Sequence, residues 1–251
     1  MKLTVIGFRG AYPGYNQAAS SYLVEENGEA LLLDCGSGSL SKLPAFRERH
    51  RLNRIFISHY HADHDSDLGC YQHAALVETS LNLRTVPLEV YGPRDPEHPV
   101  PLDYRDVSRG TFCSPGETLE TGPFRLSFSA NVHPCISLAV RVEAGGRSLV
   151  YTGDTQWYEG LEDFCRNADL LVCESSLYNR FYGQVEGHLT AGEAGRLAAR
   201  SGCGTLILTH LPHYGEHSLL LEEALEAVRE QETERPPEVL LAREGLVWEA
   251  E

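Results

Sequence analysis

The sequence predicts an α/β (α+β) fold, a four-layer αββα sandwich, from three observations. Short apolar, β-branched runs open both halves of the 251-residue chain, turn residues separate them at hairpin spacing, and helical stretches follow. Strands that precede helices in each half place two sheets between outer helices. Residues 1–251 then make a single domain built of two αβ halves.

The first strand is expected at 2–7 and the next at 22–25, 30–34 and 54–58. Turn-rich pieces part the first three, among them Asn27-Gly28, a hairpin signal. A helix over about 68–79 follows a histidine-rich segment. Pro93, Pro96, Pro99 and Pro101 crowd one stretch, which predicts an exposed loop over 93–101. The second half resumes with strands at 124–130, 136–143 and 148–151, the last two joined at Gly145-Gly146. A helix near 160–167 leads to a buried strand at 170–174. Thr190 with Glu193 three residues on is a capping-box pattern for a helix over 190–200. A strand at 205–209, a helix at 219–230 and a final strand pair at 239–242 and 246–248 complete the chain.

Lys+Arg 21 against Asp+Glu 36 gives a net charge of −15. Such a surface repels phosphate backbones, so binding to extended RNA is not expected. No window approaches the roughly 18 uninterrupted apolar residues of a membrane span, and the N-terminus reads as a strand rather than a signal peptide. The seven cysteines are scattered without a CxxC pair, which argues against a zinc ribbon or a disulfide framework. Free thiols with no export signal point to the cytoplasm and to no membrane association.

His59-Tyr-His61-Ala-Asp63-His64 directly follows the strand expected at 54–58. Three imidazoles and a carboxylate this close repel when protonated and bury bare nitrogens when neutral. A divalent cation resolves both problems, because neutral imidazole and carboxylate are its preferred ligands. In an extended segment His59 and His61 point the same way, while Asp63 and His64 lie beyond a turn, so the two pairs can address two ions.

This His-x-His-x-Asp-His pattern resembles the signature of the metallo-β-lactamase-fold hydrolases. His133 in Asn-Val-His-Pro, Asp154 in Thr-Gly-Asp-Thr and His210 in Leu-Thr-His-Leu-Pro are similar to that family's remaining ligands, and Asp34 to its early supporting aspartate. Asp169-Leu-Leu-Val-Cys-Glu174 and Gly187-His188-Leu-Thr190 resemble two further motifs of the ribonuclease Z branch. Leu211-Pro-His213-Tyr resembles its short-form bacterial subgroup, for which the resemblance supplies no substrate. It implies one ion held by His59, His61 and His133, a second by Asp63, His64 and His210, and Asp154 as the bridge. Zinc is the expected metal, with manganese as the alternative.

The resemblance further implies a binuclear hydrolase, expected as a phosphodiesterase that attacks with a hydroxide shared by both ions. Asp63 would also take the proton of that water, His188 would donate to the phosphate or leaving group, and Glu174 would orient His188. The alternatives are a ribonuclease Z-type tRNA 3′-end endonuclease and a lactone or thioester hydrolase. Ribonuclease Z enzymes usually carry an inserted arm between the counterparts of His133 and Asp154, and no such insertion stands here. The expected partner is a small or nucleotide-like phosphodiester, and a homodimer is expected by analogy. His213 and His217 read equally as candidates for the mouth of the site or as surface residues. Cys135 reads as buried packing, and Gly10-Ala-Tyr-Pro-Gly14 reads either as backbone amides presented to a phosphate or as an ordinary turn.

Overall fold

The computed structural model describes residues 1–250. In chain order these form β1 (Lys2–Gly7), β2 (Ser21–Glu26), β3 (Glu29–Leu33), α1 (Ser39–Lys42), β4 (Arg54–Phe56), α2 (Ala62–Asp65), α3 (Leu68–Ser80), β5 (Leu88–Pro93) and β6 (Ser108–Cys113). There follow β7 (Thr118–Thr121), β8 (Phe124–Ala130), β9 (Leu138–Ala144), β10 (Arg147–Tyr151), α4 (Leu161–Cys165), β11 (Leu170–Glu174), α5 (Ala191–Ser201), β12 (Thr205–Thr209), α6 (His217–Glu230), β13 (Glu238–Leu241) and β14 (Val247–Glu249). Two compact units result, Met1–Ser114 with Arg243–Glu251, and Pro115–Ala242. No helix among the described residues is long and apolar enough to cross a membrane.

The first unit holds a seven-stranded mixed sheet in the order β14-β1-β2-β3-β4-β5-β6. Its β14, β1, β2 and β3 are antiparallel, and β3 through β6 run parallel. Asn27 (φ 49°) and Gly28 (φ 80°) both sit in the left-handed region, the tight turn that an Asn-Gly pair favours between β2 and β3. Leu68, Tyr71 and Ala75 of α3 pack into a core with Leu32, Ile55, Val90 and Tyr60.

The second unit repeats the plan in the order β13-β12-β11-β10-β9-β8-β7. Its β7 to β10 are antiparallel and its β10 to β13 parallel. Burial along β8 alternates, whereas β11 and β12 are buried at every residue, as parallel strands covered on both faces must be. Thr190 caps α5 with the full capping box, its Oγ1 accepting from Glu193 N while Glu193 returns a carboxylate to Thr190 N.

Three strands escape a reading of the sequence. β5 ends in Gly92-Pro93, so Pro93 belongs to a strand and only the rest of the expected loop is irregular. β6 and β7 are short edge strands with polar, exposed residues and carry little apolar alternation. The expected final strand pair is also corrected. β13 joins β12 in one sheet, and β14 joins β1 in the other. Val5 N donates to Leu246 O and Gly245 N to Val5 O, so the open edge of β1 satisfies this backbone where a local hairpin would have done.

A Cβ added at Gly195 of α5 would lie 2.3 Å from Ala224 O of α6. Gly195→Ala gains about 1 kcal/mol in helix propensity, but overpacking of this kind costs about 1–3 kcal/mol. Thermal melts should therefore show a lowered transition, and a raised one would mean that α5 and α6 separate freely.

Candidate metal centre

Most site residues follow the carboxyl ends of parallel strands, where open α/β sheets present their binding residues, while His133 follows the antiparallel β8. In the first unit Asp34 follows β3 in the left-handed region (φ 57°) and is fully buried. Ser58 N donates to its Oδ1 (2.7 Å), and Ser58 Oγ to its Oδ2 (2.8 Å). His64 Nδ1 lies 2.7 Å from that same Oδ2. The Ser58 proton is thus used on Asp34, so His59 Nδ1, at 3.1 Å, donates to Ser58 Oγ. His59 and His64 then keep Nε2 as a bare lone pair.

Those lone pairs face other ligand atoms. His59 Nε2 is 3.1 Å from His61 Nδ1, and His64 Nε2 is 3.5 Å from Asp63 Oδ2. His61 is the N-cap residue of α2, and Asp63 and His64 lie within that helix, so the expected turn is one helical turn. Asp63 Oδ2 also accepts Ala11 N at 2.6 Å. The glycine-flanked segment 10–14 therefore directs an amide to a candidate ligand. Gly36 lets its backbone pass close to that of Asp63, since a Cβ there would lie 2.0 Å from Asp63 O. Burial pushes the Asp65 carboxyl up to about 6, with Asp34 and Asp63 adding to the shift and His64 opposing it.

The second unit presents His133 after β8, Asp154 after β10, Glu174 at the end of β11 and His210 after β12. His133 Nδ1 donates to Gly187 O at 2.9 Å. Burial holds the His133 imidazole below its usual value, against opposing contributions from Asp154 and the Gly187 carbonyl, which favours a neutral ligand ring. Gly187, at φ 81°, has no room for a Cβ beside His133 and Pro134. His210 takes a left-handed φ of 56° and places Nε2 3.2 Å from Asp154 Oδ2. His188 Nδ1 is 3.1 Å from Glu174 Oε1, and its ring stacks on His210 at 5.6 Å between centroids. His133, Asp154 and His188 offer ligand atoms within 4.8 Å of one another, as do Glu174, His188 and His210.

Each unit thus gathers its own share of the predicted residues: His59, His61, Asp63 and His64 in the first, and His133, Asp154, Glu174, His188 and His210 in the second. Sequence reasoning missed Ser58, Ser176, the Ala11 amide and the Gly187 carbonyl. The serines had one signal each, adjacency to His59 and a two-residue offset from Glu174. The flanking Gly10 and Gly14 marked a segment able to present amides, though not to Asp63, and the Gly187 carbonyl had no signal. Cys135 is half-buried rather than buried, and His98, away from these residues in the sequence, pairs with Asp95 at 3.1 Å. None of the seven cysteines is joined to another in a disulfide.

The donor set fits divalent metal ions. A bare imidazole nitrogen facing a carboxylate oxygen at 3.2–3.5 Å, as in His210–Asp154 and His64–Asp63, is a contact that a cation turns from repulsive to binding.

The family described as the β-lactamase superfamily domain matches residues 29–211. The chain belongs to that superfamily. It is 38% identical over 250 residues to the probable metallo-hydrolase YhfI of Bacillus subtilis, covering 99% of this chain and 100% of the relative. The crystal structure of YhfI, a metallo-β-lactamase fold protein, superposes with a TM-score of 0.93 over 99% of both chains. A ribonuclease Z of Methanosarcina mazei is 27% identical over 271 residues, 84% of this chain and 87% of that protein. The short form of human tRNase Z shares the fold, with a TM-score of 0.74 over 99% of both chains at 23% identity. The αββα class expected from the sequence is therefore the fold of this chain, a metallo-hydrolase fold with His/Asp groups able to hold metal ions.

Asp34→Asn should weaken zinc binding by about 10–100-fold, the usual cost of losing a group that orients a ligand. Competition against a chromogenic chelator measures it, and an unchanged affinity would separate Asp34 from the ligand set.

Proposed function

We propose that this superfamily member is a binuclear metal-dependent hydrolase that cleaves a small or nucleotide-like phosphodiester. The observation that carries the reading is the Glu174–His188 pair, with His188 Nδ1 at 3.1 and 3.3 Å from the two carboxylate oxygens. Glu174 is buried, while the His188 side chain keeps 23% exposure and stays within reach of substrate. A carboxylate at Nδ1 fixes the ring and favours its protonated form, leaving Nε2–H to donate to a phosphoryl or leaving-group oxygen. That is a use for a histidine outside the ligand set.

His59, His61 and His133 would hold one ion and Asp63, His64 and His210 the other, with Asp154 shared. Two divalent ions, zinc by this donor set with manganese as the alternative, would supply Lewis acidity toward the phosphoryl oxygens and acidify a water. Asp63, steadied by the Ala11 amide, would accept the proton that such a water gives up. Rings that carry their proton on Nδ1 stay neutral, so Asp63 and Asp154 would supply the negative charge facing the cations.

Substrate size follows from charge and topology. A net charge of −15 disfavours a long phosphate backbone. The interval from His133 to Asp154 is filled by β9, β10 and their Gly145-Gly146 turn, with no inserted arm to grip RNA. A ribonuclease Z-type endonuclease is the second reading, favoured by the likeness to the Methanosarcina enzyme.

The purified chain should bind two zinc ions, and Asp154→Ala should lower occupancy of both together. In a panel of bis(p-nitrophenyl) phosphate, cyclic nucleotides, pre-tRNA, a lactone, a thioester and a β-lactam, the small diesters should turn over best. Preferential cleavage of pre-tRNA would select the second reading, and turnover of the lactone or thioester alone would reject both.

His188→Ala should keep the metals and the fold while the diester rate falls about 10²–10⁴-fold. Loss of a metal instead would make His188 a ligand, and an unchanged rate would end its role as a donor.

A further inference from the structure

Ser176 has no place in the ligand set or among the proton-transfer groups, yet it stands at the junction of both. It is buried, with Oγ 2.6 Å from Glu174 Oε2, 2.7 Å from His210 Nδ1 and 3.4 Å from His188 Nδ1. A hydroxyl has one proton to give. The shortest of these contacts goes to a carboxylate, which only accepts, so Ser176 donates to Glu174. Its lone pair then faces His210, and that contact holds only if His210 donates through Nδ1. The ring is left with a bare Nε2 aimed at Asp154 Oδ2, 3.2 Å away. On its other oxygen, Glu174 accepts from His188 Nδ1 at 3.1 Å and from Thr155 N at 2.8 Å.

We propose that Ser176 is a positioning residue that relays Glu174 to His210, so that one buried carboxylate sets the tautomer of two imidazoles with different tasks. One task is metal ligation by His210 and the other proton donation by His188; these roles rest on the function proposed above. A direct carboxylate contact at His188 fixes Nδ1 as a nitrogen that bears a proton. The interposed hydroxyl at His210 passes on orientation without placing a charge beside it, which suits a neutral ligand. The same group thus acts in two ways, and the difference is the serine.

The test uses the full-length chain as Ser176→Ala and Ser176→Thr beside the unaltered protein. Zinc affinity is read by chelator competition, and the His210 tautomer by long-range ¹H–¹⁵N correlation after zinc removal. The unaltered chain and Ser176→Thr should show His210 protonated on Nδ1 and should bind two zinc ions alike. Ser176→Ala should show a mixture of tautomers and lose about 10–100-fold in affinity for one of the two ions. Equal zinc affinity in Ser176→Ala, with or without a lower melting point, would reduce Ser176 to a partner that merely satisfies buried Glu174 and overturn the proposal. So would an unaltered chain whose His210 carries its proton on Nε2, a result that needs no variant to fold. Neither readout depends on turnover. A chain without phosphodiesterase activity would overturn the functional reading while these measurements still decide the role of Ser176.

Discussion

A neutral imidazole can offer a lone pair to a cation only while its other nitrogen holds the proton, and the site residues of both units are arranged around that constraint. His64 is tied at Nδ1 by Asp34, His59 by Ser58, His133 by the Gly187 carbonyl and His210 by Ser176. Each tie leaves Nε2 bare. Without them the rings could rotate or exchange tautomers, and lone pairs would meet N–H groups as often as not. The same logic makes His188 different, because its Nδ1 meets a carboxylate directly.

The anchors themselves need anchoring. Burying a carboxylate such as Asp34 costs several kcal/mol. Bonds from Ser58 N, Ser58 Oγ and His64 Nδ1, each worth about 1.5–3 kcal/mol when charge-assisted, are of a size to offset it. Backbone geometry delivers the carboxylate and the ring to these partners. Asp34 and His210 both take left-handed φ values immediately after a strand, a conformation that costs a non-glycine residue of order 1 kcal/mol and persists only where the surroundings over-determine it. Gly36 and Gly187 supply the close approaches that no side chain would permit.

These features join stability to chemistry. Apart from β8, which precedes His133, the strands that carry the residues are the buried central ones, β3 and β4 in one unit and β10 to β12 in the other, so the middle of each sheet ends in a candidate ligand or its support. The net charge of −15 bears on the work of bringing polyanions to the chain rather than on the fold.

Much of this was legible in the order of residues. The His59–His64 cluster, His133, Asp154 and His210 declare themselves because ligand chemistry restricts residue type at fixed spacing, and the strands before them show as apolar runs. The capping box at Thr190 and the turns at Asn27-Gly28 and Gly145-Gly146 are equally local, so sequence alone determines them. Tertiary structure decided what depends on distant backbone. The edge strands β6 and β7 draw their order from a neighbouring strand rather than from their own polar sequences, and β14 leaves β13 for the open edge of β1. The Ala11 amide and the Gly187 carbonyl belong to every residue type alike, so no residue name can announce that they orient Asp63 and His133. Ser176 is of the same kind: a common residue whose single proton matters because folding set Glu174 and His210 on either side of it.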